Sequence, residues 1–337
     1  MDYEWRRQGA IVGAMRAHAL ALLSTVSLSV ACQAGAPVVD NVCDPSNGNP
    51  LGHAGGATTD RFGVVAIYPT VSGGREWTLP ASAENADLEW RPQATIASRC
   101  NGAFFAVSGR PRHDVVSPRG KTWWRNVEMT AYLRYQDTLN LDPTQTPHWT
   151  FYARGERHTD QMTARPSTIN DGVVAPPGTS TWPGYPFSSD VPAPCLGTSI
   201  KGLLHVDGRV TWQKEISHTE GYTDERAAAQ ALPGGVKKGA WLGFKIVIRN
   251  SDSNHTVHME SWIDAAATGD WRQVTENDDR FGGWRATVLN LNGCGAAPFA
   301  YKPDQIITWA GPFVTFRSDN LVFDFKWASV REIAPLP

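Results

Sequence analysis

Cationic side chains set among aromatic rings and imidazoles are concentrated in one stretch of this chain. Residues 198–218 read Thr-Ser-Ile-Lys-Gly-Leu-Leu-His-Val-Asp-Gly-Arg-Val-Thr-Trp-Gln-Lys-Glu-Ile-Ser-His, two apolar-rich runs around Asp207-Gly208. A two-residue Asp-Gly loop favours a type I′ turn. That turn predicts a hairpin in which Val206 faces Arg209, His205 faces Val210, Leu203 faces Trp212 and Lys201 faces Lys214. Because side chains alternate along a strand, Lys201, Leu203, His205, Val210, Trp212 and Lys214 would share one face. Like charges directly across a ladder destabilise it unless something negative sits between them. The lysine pair therefore predicts a seat for a carboxylated sugar. The competing reading turns both lysines into solvent.

A second constellation lies in Trp149–His158. Trp149, Phe151 and Ala153 form the apolar side, while Thr150, Tyr152, Arg154, Glu156 and His158 form the polar side. Arg, Tyr and His on one face could process a glycan; the alternative is an outer face laced by ion pairs among Arg154, Glu156 and Arg157. Together these residues could supply a β-elimination on a uronate. A cation (Arg154, Lys201 or Lys214) would neutralise the carboxylate, acidify the adjacent proton and stabilise the charge that develops. His158, His205 or His218 would remove that proton, since imidazole titrates near neutrality. Tyr152 or Tyr132 would protonate the leaving oxygen. Glu128, Tyr132, Arg134, Trp212 and Lys245 are the expected substrate-binding residues. The assignment of base and acid among them stays open.

The elements that would carry these groups are strands. Val127, Met129, Ala131 and Leu133 oppose Glu128, Thr130, Tyr132 and Arg134. Phe244, Ile246 and Ile248 oppose Lys245 and Arg249, and Val257, Met259 and Ile263 oppose His258, Glu260, Trp262 and Asp264. Near the end, Leu321, Phe323, Phe325 and Trp327 share one face. One apolar and one polar face per strand predicts antiparallel sheets stacked as a sandwich. The one helix-like run is Asp224–Leu232. No internal repeat is visible. The stretch Val174–Cys195 holds six prolines and reads as a long loop, of a kind that is often functional.

Composition bounds the rest. Of 337 residues, 41% are hydrophobic and 19% charged, with a net charge of −2, the profile of a globular protein with a sizeable core. No basic stripe points to nucleic acid. Tryptophan is abundant, at 14 against 12 Phe and 8 Tyr; its flat ring suits a pyranose face, although core packing accounts for most. Residues 1–31 read as an export signal, with Arg6, Arg7 and Arg16 ahead of an apolar stretch too short to span a bilayer. Ser29-Val30-Ala31-Cys32 resembles a lipoprotein cleavage box, with cleavage nearer Ala36 as the alternative, so the expectation is a secreted or surface lipoprotein of a bacterium, touching membrane only through an N-terminal lipid. Residues 32–59 read as a flexible tether and 60–337 as a single domain. Cys43, Cys100, Cys195 and Cys294 would pair as two disulfides, in any of three connectivities.

From about residue 120 to 331 the order and sidedness of the strands resemble the concanavalin A-like jelly rolls, in particular the alginate-lyase-like polysaccharide lyases and secreted glucuronan lyases. The resemblance rests on Arg125-Asn-Val-Glu128-Met, the Lys201–His205 strand, Trp241-Leu-Gly-Phe-Lys-Ile-Val-Ile-Arg-Asn250 and Val257-His-Met-Glu-Ser-Trp-Ile-Asp264. It implies an all-β, antiparallel jelly-roll sandwich and a lyase acting on an acidic polysaccharide without a required cofactor. The Gln-x-His and Tyr-x-Lys-x-Gly-x-Tyr motifs of alginate lyases are not matched, so their catalytic tyrosine is not carried over. The paired-carboxylate strand of laminarinase-type glycosidases is also absent. Structural calcium is common in such jelly rolls. Asp324 is its candidate here, against the simpler reading of an outward strand residue. The alternative to a lyase is a non-catalytic carbohydrate-binding module in which Trp212 and Trp262 stack on sugars; a structural protein without ligand chemistry is the third reading.

Overall fold

The computed structural model describes residues 58–79, 88–89, 94–116, 124–140, 146–155, 199–217, 221–251, 255–280, 284–289, 306–308, 310–311 and 313–337. All of them belong to one compact unit, Val42–Pro337. The expected signal, nearly all of the expected tether, the proline-rich loop, His158 and His218 lie outside the described residues.

The first strands are β1 (Glu76–Thr78), β2 (Leu88–Glu89), β3 (Ala94–Arg99), β4 (Phe104–Gly109), β5 (Arg112–Val116) and β6 (Val127–Thr138). Next come β7 (His148–Gly155), β8 (Ser199–His205), β9 (Arg209–Ser217), β10 (Gly221–Thr223) and β11 (Arg226–Gln230). The last are β12 (Trp241–Asn250), β13 (Val257–Asp264), β14 (Arg272–Asp279), β15 (Ala286–Leu289), β16 (Phe313–Asp319) and β17 (Leu321–Glu332). One sheet runs β14-β13-β12-β6-β17-β4-β3, with β1 also on β17. The other runs β15-β10-β9-β8-β7-β16-β5-β2, with β11 also on β9. Consecutive strands repeatedly change sheet, as at β5–β6, β6–β7, β11–β12 and β16–β17. The fold is an antiparallel β-sandwich of the jelly-roll kind.

Sidedness explains why the sheets stack. Val127, Met129, Ala131 and Leu133 of β6, Phe244, Ile246 and Ile248 of β12, and Val257, Met259 and Ile263 of β13 all enter one core. From the facing sheet come Trp149, Phe151, Ile200, Leu204, Val210, Trp212, Val314 and Phe316. Each large apolar side chain buried there contributes roughly 1.5–3 kcal/mol. At the centre, Gly202 lets the sheets approach closely: a Cβ on it would lie 2.6 Å from Ile246 Cγ2 and 3.3 Å from the Trp212 ring. Cys100, in the 3-10 turn Cys100–Gly102, is disulfide-bonded, and the remaining cysteines lie outside the described residues.

Three local expectations are corrected. Asp224–Leu232 contains no helical turn; Arg226–Gln230 is strand β11, paired with β9. Its alanines favour helix weakly, and pairing with a neighbouring strand overrides that propensity. Trp327 leaves the face of Phe323 and Phe325, because β17 is irregular between Lys326 and Ser329 and Trp327 has φ +51. It packs instead in a smaller cluster with Tyr132, Trp241 and Phe104, while Ala328 and Val330 return to the main core. The third correction concerns the lysine hairpin.

Candidate functional site

The loop between β8 and β9 is one residue longer than a two-residue turn. The Gly208 N–H donates to the His205 carbonyl at 2.9 Å, Gly208 has φ +89, and the Asp207 carboxylate accepts from the Arg209 N–H at 3.0 Å. This is a three-residue loop closed by a left-handed glycine. The ladder therefore pairs Leu204 with Val210, Leu203 with Thr211, Lys201 with Gln213 and Ile200 with Lys214. A slip of one residue moves every side chain of a strand to the other face. Lys201 and Lys214 consequently lie on opposite faces, and the cross-strand lysine pair does not exist.

Lys214 and Trp212 point between the sheets. The Lys214 Nζ lies 3.1 Å from Asp279 Oδ2 on β14, with both side chains fully buried. The Trp284 Nε1 donates to the same carboxylate at 2.8 Å. Burial pushes Asp279 above its ordinary value even though Lys214 pulls it down. Trp212 donates to Thr275 Oγ1 at 2.9 Å, so its ring is core and cannot stack on a sugar. Arg154 also leaves its expected face. Across β7 and β16 the register shifts between Phe313 and Thr315, and Arg154 has φ +61, a bulge that re-aims the side chain. Its guanidinium donates to the carbonyls of Arg125 and Ile307. Burial brings Arg154 down to about 9.

Tyr152, Lys201 and His205 do share the outer face of the second sheet. Lys201 Nζ sits 2.6 Å from Glu215 and over the rings of Tyr222 and Tyr152, at 4.4 and 5.3 Å. Burial pushes Lys201 down to about 8 against the pull of Glu215. His205 Nε2 meets Glu225 at 3.1 Å and Thr211 Oγ1 at 3.1 Å. Glu128, Tyr132, Arg134 and Lys245 lie on the outer face of the other sheet. Glu128 binds Lys245 at 2.6 Å and Arg331 at 3.0 Å, and accepts the backbone N–H groups of Ile67 and Tyr68. Burial acts to raise Glu128, but Lys245 and Arg331 hold it below its ordinary value. Tyr132 donates to Asp264 at 2.8 Å, and Arg134 pairs with Asp324 at 2.7 Å. Asp324 thus spends its charge on an arginine. Among the described residues no cluster of His, Cys, Asp and Glu is grouped to hold a metal ion.

Those of the expected residues that are described therefore divide among the interior and two outer faces and form no common groove. An open cleft of 430 Å³ is found elsewhere, at the β12-β13-β14 edge, lined by Tyr68, Arg249, His258, Glu260, Trp262 and Glu276 among others. Strand alternation puts His258, Glu260 and Trp262 there from β13, and pairing with β14 adds Glu276 and Asp278. Glu260 is the hub. It accepts from the Tyr68 hydroxyl at 2.6 Å and from Trp262 Nε1 at 2.9 Å, and it lies 3.1 Å from His258 Nε2. His258 Nδ1 is 2.7 Å from Asp278. Hydrogen bonding to Glu260 raises His258 above its ordinary value, with Asp278 adding to the effect. Arg249 lies over the Tyr68 ring at 4.0 Å and 3.6 Å from Glu260. Its Nε, buried in the wall of the cleft, has no partner among the described residues.

Of these groups, Trp262 was expected to meet a sugar, and His258 and Glu260 were legible on its strand face. Tyr68 carried no signal, since it lies 192 residues before Glu260. Arg272–Asp279 reads Arg-Gln-Val-Thr-Glu-Asn-Asp-Asp and has too few apolar residues for a strand pattern.

No protein-family model matches the chain, and no curated protein matches it in sequence. Solved structures do match in fold. A Bacillus subtilis protein of unknown function with a galectin-like fold is 11% identical, with a TM-score of 0.41, covering 80% of this chain and 100% of that one. The winged bean acidic lectin, complexed with methyl-alpha-D-galactose, is 9% identical, with a TM-score of 0.35, covering 77% and 99%. The exoplasmic/lumenal domain of VIP36 in its Ca2+/Man-bound form is 8% identical, with a TM-score of 0.39, covering 73% and 83%. At such distances these likenesses carry no function, which has to be read from the chain's own side chains.

Proposed function

We propose that this protein is a non-catalytic glycan-binding β-sandwich whose ligand seats in the cleft beside Trp262. One observation carries the reading: a half-buried indole borders an open 430 Å³ space that is also lined by carboxylate acceptors and the Arg249 guanidinium. Sugars offer an apolar C–H face for an aromatic ring and a rim of hydroxyls that both donate and accept. Tyr68, Trp262, Arg249 and the carboxylates answer each of these needs. Elimination is the weaker reading. Lys201 and Lys214 are each neutralised by a carboxylate of the protein, and Arg154 is committed to two carbonyls. All three are buried, Arg154 and Lys214 completely, so none of them is presented to a uronate.

The test is binding of a panel of neutral, basic and acidic oligosaccharides by calorimetry, comparing wild type with Trp262→Ala and Trp262→Phe. Trp262→Ala should weaken binding about tenfold or more, about 1.4 kcal/mol, and Trp262→Phe should retain most of it, although both lose the N–H donated to Glu260 and should melt lower to a similar extent. Equal binding by wild type and Trp262→Ala would refute the placement. Release of unsaturated uronate products would restore the lyase reading.

A further inference from the structure

Resting on that glycan-binding reading, we propose that the cleft selects a glycan bearing a free, protonated amino group. Glu260 and Glu276 stand directly opposite one another in the β13–β14 ladder. Like charges so placed destabilise a sheet. The next pair on the same face is His258 with Asp278. Among the described residues, the charges facing the space are Arg249 from β12, His258 and Glu260 from β13, and Glu276 and Asp278 from β14. Three carboxylates therefore meet one guanidinium and one titrating imidazole. Arg280, which does not line the space, holds the second Asp278 oxygen at 2.8 Å from a largely exposed position.

The glutamates differ in how firmly they are held. Glu260 is buried and saturated by Tyr68, Trp262 and His258. The Glu276 side chain is 64% exposed, with His258 Nε2 at 3.8 Å and Gln273 Nε2 at 3.4 Å. An ammonium beside Glu276 would gain a charge-assisted hydrogen bond and attraction to the Trp262 ring face, and would relieve the repulsion between the two glutamates. A uronate or sulfate at the same position would add a further negative charge. The Arg249 guanidinium, which also lines the space, is suited to a ligand hydroxyl or ring oxygen.

The experiment compares glucosamine oligomers with N-acetylglucosamine and glucuronate oligomers of equal length, by calorimetry at pH 6 and low salt. Wild type should bind the glucosamine oligomer at least tenfold tighter than the acetylated one and should leave the glucuronate oligomer unbound. Glu276→Gln, an isosteric change at an exposed position, should cut that preference at least fivefold, and so should raised salt, by screening. Equal or tighter binding of the acetylated oligomer, still sensitive to Trp262→Ala, would overturn the amine inference and leave the glycan-binding reading standing. Failure of wild type to bind any of the three would overturn both.

Discussion

Replacing Lys214 by Met removes the ammonium that pairs with the fully buried Asp279 carboxylate. Lys214 and Asp279 are each 0% exposed, with Nζ 3.1 Å from Oδ2, so no water replaces the lost charge. Asp279 would then keep the Trp284 N–H and the more distant field of Arg154. Its cheapest escape is to fold protonated. In that limit the cost at pH 7 is at most 1.36 kcal/mol for each unit between pH 7 and the unfolded value of about 3.9, or roughly 4 kcal/mol, less whatever the raised Asp279 already costs the wild type. This agrees with the ~3–5 kcal/mol typical of breaking one partner of a buried pair. A carboxyl that keeps its proton in the folded state gives stability that falls as pH rises above the unfolded value. The penalty should therefore shrink to roughly 1.5 kcal/mol at pH 5 by the same arithmetic. Urea denaturation of wild type and Lys214→Met at pH 5 and pH 7 measures both numbers. The double variant Lys214→Met/Asp279→Leu should recover most of the loss, because no charge remains buried. A penalty below 1 kcal/mol at pH 7, or one that does not depend on pH, would refute the buried pair and return Lys214 to an exposed face.

Gly202→Ala should cost about 1–3 kcal/mol in the same assay, because its methyl would press on Ile246 and Trp212 at the closest approach of the sheets; a neutral result would mean that the sheets are further apart. Glu260 and Asp278 raise His258, so the imidazolium contributes stability fully below the unfolded value of about 6.5 and loses it as pH rises through the higher folded value. The advantage of wild type over His258→Gln should thus be about 1 kcal/mol or less near pH 6 and should vanish at alkaline pH; a growing advantage there would contradict the assignment. Alkylation of the unreduced protein followed by mass spectrometry should leave Cys43, Cys100, Cys195 and Cys294 unlabelled, and a labelled native cysteine among them would break the expectation of two disulfides.

The cleft was partly legible because a strand displays its side chains with period two. That period alone puts His258, Glu260 and Trp262 together against Val257, Met259 and Ile263, wherever β13 lies in the sheet. Tyr68, Arg249 and Glu276 complete the site from other elements, and only the packing of those elements against β13 brings them there. Like charges facing one another across a ladder did mark a feature of this chain, but the residues are Glu260 and Glu276. The lysines that suggested it are separated by the thickness of the second sheet.

From the residues alone, alternation determined that this is an all-β protein with one apolar face per strand, since burying that face is the dominant gain on folding. It also determined which residues of β6, β12 and β13 enter the core. Register was decided by tertiary structure. A two-residue and a three-residue turn around Asp207-Gly208 differ by one position in the chain and are close in local energy. The choice between them rests on Trp212 and Val210 packing against the other sheet. The same holds at Arg154 and Trp327, where bulges take a side chain off its expected face. Period two makes the pattern of a strand readable and leaves its face undecided, because a shift of one residue costs little locally and exchanges inside for outside.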